Sequence, residues 1–229
     1  MYMRKLLYLL LVVVFILSGP SIPSAKQVSD QNAADWVSAN KVELIKSFTE
    51  LGISPKTQEK LLDKLSKGQM IDSTKPNSIK EATEKLKKLG LNETETIIYP
   101  DGSVAKIGNE EIQNDEMLYA LSTSIEHTIN SYWISGVVNI EFTTDFVTRI
   151  GDYDYIVRSY NEAASVIGGT ITSETLTIGR KYETQDYRAY SEYRIIYSLL
   201  GGWAGGTFDL FFHVGSNTYE TKLDLDDKK

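Results

Sequence analysis

The sequence predicts an α+β protein, a short N-terminal helical region followed by an antiparallel β-sandwich or flattened barrel. Three observations carry this. Apolar residues recur at helical spacing up to about residue 91, the character changes at Asn92 and the period is two from Trp133, and Gly-rich turns separate the later apolar runs.

The chain opens on an export signal. Arg4 and Lys5 precede the unbroken apolar run Leu6 to Leu17, and Gly19, Pro20 and Pro23 lead to small residues ending at Ala25. A basic start, an apolar stretch of about 7–15 residues and a small-residue exit form a secretory signal. A permanent span needs about 20 apolar residues. Residues 1–25 are therefore expected to be cleaved, with no stable membrane span afterwards.

Three amphipathic helices are expected across residues 29–91. Trp36, Val37, Leu44, Ile45, Phe48 and Leu51 give the first its stripe, and Gly52 stops it. Ser54-Pro55 starts the second with a hydroxyl cap and a proline whose missing N–H costs nothing there. Leu61, Leu62 and Leu65 are its apolar face, and Gly68 closes it. A third is expected over Ser78–Leu89, capped by Gly90. Three short helices bury little alone, so they form a small bundle or pack on the β-rich part of the chain.

The β-rich domain is expected over residues 95–226. Thr96–Tyr99 and Val104–Ile107 flank Pro100-Asp101-Gly102-Ser103, a hairpin turn in which Pro fixes φ and Gly takes a positive φ. Residues 112–129 read as helix by their Met117, Leu118, Leu121, Ile125, Ile129 spacing, or as strand by their Ser/Thr density. From Trp133 the alternation Ile134, Gly136, Val138, Ile140, Phe142, Thr144, Phe146, Ile150 is too long for one straight strand, which predicts a bend or bulge near Thr143-Thr144. A Thr-rich strand spans Thr170–Arg180. Ala189, Tyr193, Ile195, Tyr197 and Leu199 form one buried face, and Phe208, Leu210, Phe212 and Val214 another. Tyr219, Thr221, Leu223 and Leu225 complete the set.

Composition narrows the chemistry. The chain has 24 Lys and Arg against 31 Asp and Glu, a formal charge of −7, and losing Arg4 and Lys5 brings this to −9. Nucleic acid and anionic membrane both reward dense Lys and Arg, so neither is expected as a partner. With no Cys there is no disulfide, no thiol nucleophile and no lipid-bearing cysteine, a pattern more typical of Gram-positive than of eukaryotic exported proteins. With only His127 and His213, no metal site and no cofactor are expected. His213 reads as a surface strand residue on the outer face with Asp209 and Phe211; Asp209 lies about 13 Å along the strand, too far to share a metal.

Carboxylates are the remaining enzymatic option. Asp145, Asp152, Asp154 and Glu162 are near enough in sequence to meet, as a carboxylate-dependent hydrolase would need. Gly151-Asp152-Tyr153-Asp154-Tyr155 reads more simply as a polar turn with tyrosines covering a sheet edge, and clustered oxygens there would also suit calcium. No catalytic residue is assigned.

Recognition fits the residues better. Tyrosine offers a flat apolar face with a polar tip. Tyr182, Tyr187 and Tyr190 sit in the polar stretch Lys181–Glu192, and Trp203 sits between the glycine pairs 201–202 and 205–206. These four are the expected ligand-binding residues. Trp203 reads alternatively as a plug for an open end of the sandwich.

Leu65-Ser-Lys-Gly-Gln-Met-Ile-Asp72, Tyr99-Pro-Asp-Gly-Ser103 and Val166-Ile-Gly-Gly-Thr170 carry a resemblance. The chain resembles a group of uncharacterised secreted proteins of Gram-positive bacteria with a helical N-terminal region and a β-rich C-terminal domain. The resemblance implies location and architecture and supplies no activity. The expected function is a secreted, non-enzymatic binding or cell-surface interaction protein with an extracellular ligand, carbohydrate or protein. The alternatives are the extracellular hydrolase and an antimicrobial or immunity-type factor acting at membranes.

Overall fold

The structure is a computed structural model and describes residues 30–75, 78–79, 93–112, 123–199 and 204–223. The expected export signal, most of the expected third helix, Trp203 and Leu225 lie outside the described residues.

Helix α1, Asp30–Glu50, ends at Gly52, whose φ of 76° reverses the chain. Helix α2, Pro55–Ser66, starts as its sequence dictates. Ser54 stays extended and its hydroxyl accepts the Thr57 N–H at 3.4 Å, with Pro55 at the first position. A short 3-10 turn, Asp72–Thr74, leads out of the helical region.

Among the described residues nine strands follow in sequence: β1 Thr94–Ile98, β2 Val104–Glu111, β3 Ser124–Ile134, β4 Val138–Arg149, β5 Tyr155–Val166, β6 Gly169–Arg180, β7 Ala189–Leu199, β8 Ala204–Gly215 and β9 Thr218–Leu223. They form two antiparallel sheets in sequence order, β1-β2-β3-β4-β5 and β6-β7-β8-β9. Of the ambiguous residues 112–129, 124–129 are strand and 113–122 lie outside the described residues.

The long alternation from Trp133 is divided by a turn at Ser135-Gly136-Val137, where Gly136 takes φ 84°. Within β4, Val138, Ile140, Phe142, Thr144 and Phe146 all face inward and are buried. The irregularity expected near Thr143-Thr144 is there, but β5 carries it: the register slips between Glu141 and Thr143 and again between Asp145 and Phe146. Asn161, at the first slip, has φ 53°. Ile150 does not join the core. It falls past the end of β4 and is 70 % exposed.

β6, on the facing sheet, has two slips of its own, at Thr172 and Gly179. Both bulged strands are sheet edges, and bulges there discourage pairing with other chains. β5 and β6 are joined at one end by the Ile167-Gly168 turn and at the other by a bridge between Tyr155 and Tyr182.

The sheets pack face to face through aromatic rings. Phe146 meets Phe212 at 4.9 Å and Tyr219 at 5.0 Å, Trp133 meets Phe208 at 6.2 Å, and Phe142 meets Tyr193 at 6.3 Å. One polar knot sits among them: the Ser131 and Thr221 hydroxyls hydrogen-bond at 2.9 Å, and Thr221 also donates to Asn109 Oδ1. The oxygens of this knot satisfy one another, while the buried Asn109 Nδ2 has no hydrogen-bond partner.

The helices cap one end of the sandwich and share its core. Phe48 and Leu51 lie under Gly136. The Trp36 indole donates to the Gly168 carbonyl at 2.7 Å, and the Ser73 N–H donates to the Ser103 hydroxyl at 2.9 Å. Lys64 bridges Asp72 at 3.0 Å and Asp101 at 2.7 Å, clamping α2 to the β1–β2 turn. The opposite end carries the β4–β5 turn, the β6–β7 connection and the β8–β9 turn.

Candidate functional site

That opposite end is fixed from within by two carboxylates. Asp154, fully buried, accepts the Arg149 N–H on Oδ1 and the Asn217 N–H on Oδ2, each at 2.8 Å. Its own N–H donates to Glu183 Oε2 at 3.0 Å, and its carbonyl accepts the Glu183 N–H at 2.8 Å. Glu183 Oε1 accepts the Ser216 N–H at 2.8 Å. Three loops are thereby tied together. Ser216 and Asn217, both at φ 57°, form the left-handed two-residue turn that aims those N–H groups. Burial raises the Asp154 carboxyl above its ordinary value, with the Arg149 and Asn217 N–H groups opposing and Glu183 reinforcing.

The tyrosines stand on this frame. Tyr182 packs its ring 5.6 Å from Tyr155, which covers the junction of the two sheets, and the Arg149 guanidinium lies 5.1 Å from the Tyr155 ring. Tyr187 is held by a local turn in which the Thr184 N–H donates to the Tyr187 carbonyl at 2.8 Å and the Tyr187 N–H donates to the Thr184 hydroxyl at 3.2 Å. Tyr182 and Tyr187 are 54 % and 52 % exposed, and Tyr153 in the β4–β5 turn is exposed as well.

Tyr190 is not in the connection that the polar stretch suggests. It belongs to β7, half-buried, in register with Arg180 on one side and His213 on the other. The Arg180 guanidinium lies 4.8 Å from the Tyr187 ring and 5.5 Å from the Tyr190 ring, and donates to the Arg188 carbonyl at 2.9 Å. Gly179 makes this packing possible. A Cβ there would run into the Tyr190 ring. Neither Gly179 nor Arg180 stands out in the sequence; the available signal is a glycine ending a Thr-rich strand directly before an arginine.

Three of the four expected binding residues, Tyr182, Tyr187 and Tyr190, therefore share one end. Trp203 lies outside the described residues, and the strand ends that flank it, Leu199 and Ala204, belong to the helix-capped end, where Leu199 pairs with Gly169.

His213 is a correction. It lies on the outer face with Asp209 and Phe211 as expected, yet it is only 7 % exposed. Phe211 stacks on it at 5.8 Å, Tyr190 lies 5.7 Å away, and its Nδ1 has no hydrogen-bond partner. Burial first, then Lys222, Arg188 and Arg180, lower its pKa to about 4 against the opposing pull of Glu220. His127 faces inward, stacked on Phe146 at 4.8 Å, with its ring nitrogens 3.3 Å from Glu111 and 3.1 Å from the Thr148 hydroxyl.

The carboxylates singled out in the sequence have separate structural partners. Asp145 takes the Arg158 Nε–H at 2.5 Å and the Thr128 hydroxyl at 2.9 Å, and Asp152 pairs with Arg149 at 2.8 Å. Asp154 is consumed by backbone N–H groups, and Glu162 is exposed. Among the described residues no three His, Asp or Glu side chains are grouped to hold a metal ion, and no helix is long and apolar enough to cross a membrane. A groove of about 770 Å³ runs between α1 and α2, lined by Val37, Ile45, Ile53 and Leu62, at the end away from the tyrosines.

No family model matches the chain, and no curated protein matches it. Among solved structures it is similar to a hypothetical protein of Listeria monocytogenes EGD-e, at 16 % identity and a TM-score of 0.35, over 58 % of this chain and 98 % of that one.

Proposed function

We propose that this chain is an exported, non-enzymatic binding module that holds an extracellular polysaccharide at its tyrosine-bearing end. The observation that carries the reading is the pair of half-exposed rings, Tyr182 and Tyr187, standing on loops that Asp154 and Glu183 lock together. Flat aromatic faces stack on sugar rings while their hydroxyls and neighbouring polar groups hydrogen-bond. A ligand surface fixed before binding avoids the ordering cost of loops, about 0.5–1.5 kcal/mol for each side chain immobilised. Exposed rings suit an extended polymer rather than a small enclosed substrate. Export is supported by the basic, apolar and small-residue segments of residues 1–25.

The test has two parts. N-terminal sequencing of material secreted by an expressing bacterial host should find a chain beginning near Lys26; a product still starting at Met1 would overturn export. Calorimetric titration of that product with soluble polysaccharides should show binding that Tyr182→Ala and Tyr187→Ala each weaken about tenfold or more. Both rings are exposed, so circular dichroism should remain unchanged. Binding insensitive to both substitutions would overturn the site.

A further inference from the structure

We infer that the ligand held at this end is an anionic polysaccharide, and that the Arg180 guanidinium, held against Tyr187 and Tyr190, takes its acidic group. This rests on the binding role proposed above and adds the ligand's charge. The argument begins with Glu220, which accepts two cations, Arg188 at 2.9 Å and Lys222 at 2.8 Å. One negative charge is thereby compensated twice. Arg180, in the same cross-strand row, spends one N–H on the Arg188 carbonyl, and no carboxylate among the described residues pairs with it. A guanidinium has five N–H donors in a planar fork that matches a carboxylate or a phosphate. The tyrosine faces hold the cation in place electrostatically and leave the rest of that fork unused.

A second observation comes from the adjacent strand. His213 lies in register beside Tyr190, buried, with Nδ1 unpartnered. Three cations, Lys222, Arg188 and Arg180, and one carboxylate, Glu220, act on it, so cations gather along this cross-strand row in a chain whose formal charge is −7. Of the nearby acids, Glu183 keeps its charge but turns its oxygens to the Asp154 and Ser216 N–H groups, and Glu192 and Asp209 share Arg194, at 2.9 and 2.7 Å, so none of the three pairs with Arg180. Asp186 is exposed in the same connection as Tyr187, and it and Glu183 are the acidic groups of that connection expected to oppose the ligand.

The experiment compares the secreted protein's affinity for polygalacturonate, a phosphomannan and neutral mannan. A polyanion is expected to bind at least tenfold more tightly than neutral mannan, with an affinity that falls as salt rises. Arg180→Gln should cost about tenfold more for the polyanion than for neutral mannan. Arg180→Lys should recover only part, because it keeps the charge and loses the fork. Asp186→Asn should tighten polyanion binding. Preference for polygalacturonate or for phosphomannan identifies the acidic group as carboxylate or phosphate. Equal, salt-independent binding of all three, abolished by Tyr187→Ala and untouched by Arg180→Gln, would overturn the charge inference and leave the module intact. Binding of none of them would overturn both. Should Arg180→Gln lose its fold by thermal melting, the salt dependence of the unsubstituted protein decides alone.

Discussion

The Trp36 indole N–H and the Gly168 carbonyl meet at 2.7 Å across 132 positions of sequence. The bond fastens α1 to the turn where the chain leaves one sheet for the other. Gly168 sits at φ 60°, and a Cβ on it would strike the Trp36 indole nitrogen and the Asn40 amide. Gly168→Ala therefore combines backbone strain with a collision, and a loss of about 2–3 kcal/mol is expected in urea unfolding. A change within about 0.5 kcal/mol, the range of an ordinary surface substitution, would mean that α1 does not rest on this turn.

Phe146 is the aromatic hub between the sheets, fully buried against His127, Phe212 and Tyr219. Phe146→Ala is expected to cost about 3–5 kcal/mol, since the surrounding rings cannot close the cavity without leaving their own contacts. Thermal unfolding of the variant checks this.

Lys64 neutralises two acids at once. Burial pushes the Asp72 and Asp101 carboxyls up, but hydrogen bonds outweigh it, from Lys75 and Lys64 for Asp72 and from Lys64 and Ser103 for Asp101. Both carboxyls end below the ordinary value of 3.8. A lowered folded-state pKa gives stability that is present above the unfolded value and is lost as pH falls through the folded one. The clamp should therefore weaken below about pH 4. Lys64→Met leaves Asp101 without its cation and Asp72 with Lys75 alone, and should cost about 2 kcal/mol at pH 7, less than the ~3–5 kcal/mol of a fully buried pair. Denaturation at pH 7 and pH 3 should show that cost shrinking with acid.

His213 should be neutral at pH 7. Its pKa of about 4 lies below the ordinary 6.5, so the unfolded chain takes up the proton first as pH falls. Stability is then lost between about pH 6.5 and 4, and His213→Phe should flatten that part of the profile. An imidazole resonance that shifts near pH 6.5 in the folded protein would contradict the burial.

The elements most legible in sequence were those whose cause is local. Ser54-Pro55 starts α2 because a hydroxyl and a ring act within one turn. Pro100-Asp101-Gly102-Ser103 makes the β1–β2 turn because Gly102 takes φ 84°. The inward faces of β7 and β8, from Ala189 to Leu199 and from Phe208 to Val214, follow from a two-residue period. Elsewhere that period was insufficient. It ran through Gly136 without marking a turn, and it assigned Ile150 to a strand that had already ended.

The site was half legible. Tyr182, Tyr187 and Tyr190 were visible as a tyrosine-rich stretch, but not the role of Arg180, because a cation's partners are set by strands that meet only in the fold. Asp154 looked like a surface turn residue, and two backbone N–H groups, one of them 63 positions away, make it a buried anchor.

By itself the sequence determined the helices it caps, the alternation of its strands and the turns its glycines and prolines enforce, since each depends on neighbours a few residues apart. Only the tertiary structure decided which polar groups are buried. His213 and Asp209 share an outward strand face that sequence assigns to solvent, yet cross-strand rings and ion pairs cover both. Burial is a property of what packs on a side chain, and for these residues that comes from strands elsewhere in the chain.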